Sequence, residues 1–196
     1  MSETPVNFTS LVRKLRLLQS LARAGMWLWP AFTLGMWAFL EYIPVSELQR
    51  MAGELNSGIG ASVVHMSAAE FHITWKVKLL GMAASLFPAA VQFLFMRQWT
   101  ELFGLYRRGR VFETENVKYF ARMGRHLLTL AIFDIVFSKP LYSLALTADN
   151  PPGKHTLSVG LSSDDLPVLA AGIALVVIAW AMDEGRKLRQ EADLVV

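Results

Sequence analysis

The chain has 196 residues, no cysteine and a formal net charge of +3; 54% of its residues are hydrophobic and only 18% are Asp, Glu, Lys or Arg. That balance excludes an ordinary soluble domain, in which about a quarter of residues are charged, and points to lipid as the main solvent. The missing cysteines exclude disulfides, thiolate catalysis, iron–sulfur ligation and lipidated cysteine anchors together.

In chain order, the first element is amphipathic. Between Ser10 and Ala24, the residues Leu11, Leu15, Leu18 and Ala22 share one helical face, and Arg13, Arg16 and Arg23 another. This predicts a helix lying along the inner membrane surface before it turns into the first span. A hydrocarbon layer of roughly 30 Å takes about 20 helical residues, and four stretches of the chain fit. The first, 21–43, carries Trp27, Trp29 and Trp37 near its ends, where indole rings favour the headgroups. Met1 to Ser10 is polar and no small-residue cleavage site follows the apolar run, so that run is expected to stay as a helix.

The second span, 79–96, is entered by Lys76 and Lys78, closed by Arg97 and kinked at Pro88, and its helix continues to Tyr106. The third, 127–146, is apolar except for Asp134 and Lys139, with Pro140 beside the latter. The fourth, 166–182, has Pro167 in its first turn and ends at Asp183, Glu184 and Gly185.

Basic residues set the orientation, because cytoplasmic segments retain Lys and Arg. The N-terminal segment has four (Arg13, Lys14, Arg16 and Arg23), the Arg97 to Arg125 connection seven and the tail three, whereas the other two connections together hold five even with Lys139 included. The chain therefore reads as one membrane domain, 1–196: an all-α, integral membrane four-helix bundle, N-in and C-in, with a cytoplasmic elbow at 97–126 and a cytoplasmic tail at 183–196. The outer connections, 44–78 and 147–165, contain the alternating runs Ala61 to Met66 and Thr156 to Leu161, which predict a short extracytoplasmic β-like cap. Ser162, Ser163, Asp164 and Asp165 read as the polar cap before the fourth span.

Three groups of residues carry candidate function. In the elbow, Leu102 to Phe112 ends one helix in a glycine-containing turn, and Glu113, Thr114, Glu115 and Asn116 open the next. From there Val117, Phe120, Gly124 and Leu127 line one face, while Lys118, Arg122 and Arg125 line another. Inside the bilayer, Asp134 is either a proton or cation site or a packing acid facing a neighbouring helix through Gln92, a Thr or backbone. Lys139, five positions on, falls off Asp134's face of a regular helix and is placed to snorkel outward. The histidines divide between the cytoplasmic edge (His126) and the outer loops (His65, His72 and His155), with no close ligand spacing, so no metal and no cofactor is expected. No nucleophile and base pattern or phosphate loop appears, which predicts a protein that is not an enzyme.

The run from Leu102 to Gly124, with Gly109, Phe112, Glu115, Asn116 and Gly124, and the ending Glu184 to Val195 resemble the bacterial membrane proteins of domain of unknown function 2975. With the four spans, the resemblance covers nearly the whole chain. Glu113 stands where that family commonly has a helix-capping Thr, and Ala192 where an Asn often follows the glutamate. The resemblance implies the bacterial inner membrane and a small helix-turn-helix transcription regulator as partner, with no direct contact to nucleic acid by this chain. On that reading the chain is a sensor or tether, and Arg107, Arg108, Arg110, Lys118 and Arg122 with the mixed-charge tail dock the regulator. The alternative is a small transporter or channel subunit, a homo-oligomer working through Asp134.

Overall fold

Leucine and alanine dominate the apolar runs, and neither loses much rotamer freedom on entering a helix. In the computed structural model, which describes residues 8–44, 73–111, 113–149 and 165–194, every regular element among the described residues is helical. Helix α1 spans Phe8–Ala38 and runs into a 3-10 turn, Leu40–Tyr42. Helix α2 spans Trp75–Arg107 and α3 spans Thr114–Phe133, which passes through a π-helical turn, Asp134–Ser138, into α4, Lys139–Thr147. Helix α5 spans Asp165–Leu194. The two runs expected to form a β-like cap lie outside the described residues.

The helices are arranged as a row. The most extensive contacts are α1 with α2 and α3 with α5, joined by α2 against α3 and α4; α1 and α5, at the two ends, share no extensive interface. Two helices, α2 and α5, are long and apolar enough to cross a membrane. Only 22% and 17% of their most apolar windows are buried inside the protein, whereas the core helix of a soluble domain would be mostly covered. Trp27, Leu28 and Phe32 on α1 and Ile173, Val177 and Trp180 on α5 are likewise exposed. Such apolar outer faces suggest membrane association.

The core lies between the helix ends farthest from the elbow. Trp37, Leu40, Val77 and Ala145 are buried together, with Ile43, Ile73, Met82 and Tyr142 packed around them. Trp37 Nε1 donates to Ser85 Oγ at 2.8 Å, and Ser85 Oγ in turn lies 3.3 Å from the Tyr142 hydroxyl, so one short polar chain ties α1, α2 and α4. The indole fits only because Gly81 lies opposite: a Cβ there would fall 2.1 Å from Trp37 Cε3. Trp37 is thus not the headgroup anchor that its place near a span end predicts; it is 4% exposed and sealed between helices. Above this core, Lys78 pairs with Glu41 at 2.7 Å, and Asp149 takes Lys76 at 3.3 Å together with the Thr74 hydroxyl.

The amphipathic stretch Ser10 to Ala24 does not turn at its end. It continues into the rest of α1 without a break. Its inner side packs along the far end of α2, where Gln19 Nε2 donates to the Thr100 carbonyl at 3.2 Å. Helices α1 and α2, at 31 and 33 residues, are each about 45–50 Å long, more than the roughly 30 Å of hydrocarbon requires.

The turn at Asp134–Ser138 has a local cause. Pro140 lacks an N–H and in a regular helix its ring would crowd the carbonyl four residues back, at Val136, and a widened turn before it relieves both problems. The i→i+5 spacing of a π-turn sets Lys139 one turn along from Asp134, so the backbone register differs from the regular helix that had placed these two positions on different faces.

Candidate functional site

The elbow is built rather than slack. Helix α2 ends in paired bonds of the Schellman type: Gly109 N–H donates to the Tyr106 carbonyl at 3.0 Å and Arg110 N–H to the Leu105 carbonyl at 3.1 Å. The pattern needs a left-handed residue, and Gly109 supplies it at φ +74°. Five residues later α3 begins, and Asn116, 0% exposed, reaches back to donate Nδ2 to the Arg110 carbonyl at 2.8 Å. The end of one helix is thereby locked to the start of the next.

Glu113 occupies the position before α3 but does not cap it with its side chain. Its carboxylate instead takes the Arg110 guanidinium, with Glu115 a further 3.8 Å partner. The hydrogen bond from Arg110 holds the Glu113 carboxyl below its usual range, and the same bond raises the guanidinium. Nearby, Arg107 Nη1 donates to Gln19 Oε1 at 2.7 Å and so braces α1 against the end of α2.

Of the five basic residues singled out from the sequence, two are therefore engaged within the chain: Arg107 with Gln19, and Arg110 with the acids of the elbow. Arg108, Lys118 and Arg122 are exposed and form no ion pair with any described residue. The face assignment along α3 agrees with the packing, since Lys118, Arg122 and Arg125 point outward while Gly124 is buried. A Cβ on Gly124 would meet Val176 Cγ2 at 2.6 Å and the Gly172 carbonyl oxygen at 2.8 Å; one on Gly172 would meet Leu128 at 3.0 Å. The two glycines form a notch that lets α3 and α5 approach closely.

His126, beside this notch, has its pKa lowered, first by burial and then by Arg125 and Arg122. Asp134 opens the π-turn and faces outward from the row, while Lys139 begins α4. Among the described residues no three His, Asp or Glu side chains come together as metal ligands would.

The reading from sequence overlooked Gln19, Ser85, Tyr142, Gly81 and Gly172. Their roles come from partners on other helices, and none stands in a motif. Asn116 was placed at the opening of the second elbow helix and in the resemblance, but its bond back to the Arg110 carbonyl was not foreseen.

The fold and the elbow together define an all-helical protein with apolar outer faces and an ordered basic turn. The model of the family described as protein of unknown function (DUF2975) matches residues 29–196, and the chain belongs to that family. No curated protein and no solved structure matches it.

Proposed function

We propose that this chain is a multi-pass protein of the bacterial inner membrane, with four spans and both ends in the cytoplasm, that acts as a sensor or tether rather than an enzyme. The two long apolar helices, the uncovered apolar faces and the concentration of Lys and Arg in the N-terminal segment, elbow and tail support that topology. The observation that carries the functional reading is the elbow: a turn closed by Gly109, Asn116 and the Arg110–Glu113 pair holds Arg108, Lys118 and Arg122 exposed in a fixed arrangement. Fixed cations suit an acidic partner surface better than a slack loop would, because little ordering entropy is lost on docking. The partner is a soluble helix-turn-helix regulator, released when the helices shift. Reversing the charge at Arg108, Lys118 and Arg122 should abolish co-purification of the regulator while membrane insertion is kept; undiminished co-purification would refute the docking role.

A second reading, a small transporter or channel subunit, is favoured by the π-turn that begins at Asp134, since such turns recur at functional sites in helices. On that reading Asp134→Asn abolishes pH-dependent cation flux in proteoliposomes. Absence of flux in the unaltered protein removes it.

A further inference from the structure

The groove between α3 and α5 beside the elbow is separate from the exposed cations Arg108, Lys118 and Arg122 that carry the docking reading. It measures about 540 Å³, within the roughly 300–1,000 Å³ of small-ligand sites, and is lined by Val117 of α3 and by Ile178, Ala181, Met182, Gly185, Arg186 and Arg189 of α5. On α5 these positions recur at helical spacing and form a single stripe that is apolar from Ile178 to Gly185 and basic at Arg186 and Arg189. The stripe crosses the point where α5 leaves its apolar run, at Met182 and Asp183.

At the basic end, Arg186 is only partly satisfied. Its Nη2 donates to Asp183 at 3.1 Å and its Nη1 to Gln190 at 3.2 Å, but its Nε is sealed from solvent and has no partner among the described residues. Arg189, one turn further along the same stripe, is exposed and forms no ion pair with any described residue, so the basic end of the groove keeps a cation free for an anionic group.

We propose that this groove holds an anionic phospholipid of the inner leaflet, one acyl chain along Ile178, Ala181 and Met182 and the phosphate at Arg186 and Arg189. The inference rests on the membrane topology proposed above. The order of the lining matches the order of the ligand: hydrocarbon at the depth of the bilayer, guanidinium groups at the depth of the headgroups. A soluble peptide would have to enter the hydrocarbon layer to reach the apolar half. A second copy of the chain, sharing the same orientation in the membrane, would set Arg186 and Arg189 at the same depth as their counterparts, where like charges repel.

The test uses the full chain purified in a mild non-ionic detergent, with phosphatidylglycerol, phosphatidylcholine and inorganic phosphate as probes. Native mass spectrometry should show phosphatidylglycerol retained in preference to phosphatidylcholine, and Arg186→Gln combined with Arg189→Gln should weaken that retention about tenfold, the scale of one charge-assisted hydrogen bond. Ala181→Phe, which fills the apolar end and leaves every charge in place, should weaken it as well. Equal retention of the two lipids, retention unchanged in either variant, or equal protection by inorganic phosphate would overturn the proposal, as would capture of a soluble protein at the groove. Each of those failures leaves the protein resistant to alkaline carbonate extraction; a protein that carbonate removes from vesicles would instead refute the membrane topology itself.

Discussion

Gly124→Ala is the sharpest perturbation of the α3–α5 interface. The added methyl would lie 2.6 Å from Val176 Cγ2, 2.8 Å from the Gly172 carbonyl oxygen and 3.0 Å from Val176 N. Two of these three neighbours are backbone atoms, which no rotamer change can move, so the helices must separate by roughly 1 Å to restore ordinary contact distances. Overpacking of this kind costs about 1–3 kcal/mol, which outweighs the gain of up to about 1 kcal/mol that alanine brings to a helix interior over glycine. For a chain of this length, each 1 kcal/mol shifts the midpoint of thermal unfolding by about 2–4 °C. Gly172→Ala should cost less, because its nearest neighbours, at 3.0 Å, belong to the Leu128 side chain. Gly185→Ala, with nothing within 4 Å, should be neutral or slightly stabilising. The assay is tryptophan fluorescence of the detergent-purified protein on heating. A Gly124→Ala midpoint at or above that of Gly185→Ala would refute the close approach of α3 and α5.

Ser85→Ala removes the acceptor for Trp37 and leaves its buried N–H unsatisfied, so it should destabilise by about 1–3 kcal/mol, whereas Trp37→Phe combined with Ser85→Ala should show less than the sum of the single losses in a double-mutant cycle. Asn116→Ala frees the Arg110 carbonyl, and limited proteolysis should then cut between Arg108 and Glu113 at a rate that the unaltered elbow resists. The Asp149 carboxyl is held below its usual range first by the Thr74 hydroxyl and then by Lys76. A depressed carboxylate contributes stability that is fully present above the ordinary aspartate range and lost as pH falls through the lowered value. The protection of amides at the start of α2, taken relative to their intrinsic exchange rate at each pH, should therefore fall below about pH 4, and Asp149→Asn should remove that pH dependence.

How far the fold could be read in advance depended on whether its cause was local. The apolar runs of α2 and α5 and the stop at Gly109 follow from composition and a single backbone requirement, and the structure places them close to where the sequence does. The opening of α3 at Thr114 also follows from its local acids. Trp37 shows the opposite case. A tryptophan near the end of an apolar run suits a headgroup anchor, and only Gly81 and Ser85 on another helix turn it into a buried keystone. The same holds for Gly124, whose face was evident but whose partner, Gly172, was not. The unbroken course of α1 was hidden because a hydropathy profile registers the change from amphipathic to apolar sequence at Ala24 but not the α2 surface along which both parts lie, Gln19 against Thr100 and Gly104 and Trp37 against Gly81 and Ser85.

The elbow divides in the same way. Its basic residues were legible as a group, yet hydrogen bonding separates Arg107 and Arg110, which brace the turn, from Arg108, Lys118 and Arg122, which remain available. Charge alone carries no such distinction.

The central claim is that the elbow and both ends lie on one side of a bilayer and the two outer connections on the other. Because the chain has no cysteine, single substitutions Ser62→Cys, Arg108→Cys, Thr156→Cys and Arg189→Cys can each be labelled in intact cells with a membrane-impermeant maleimide against a blank background. The account predicts labelling at 62 and 156, and protection at 108 and 189 until the membrane is opened. Labelling of 108 or 189 in intact cells, or of all four positions alike, would contradict it.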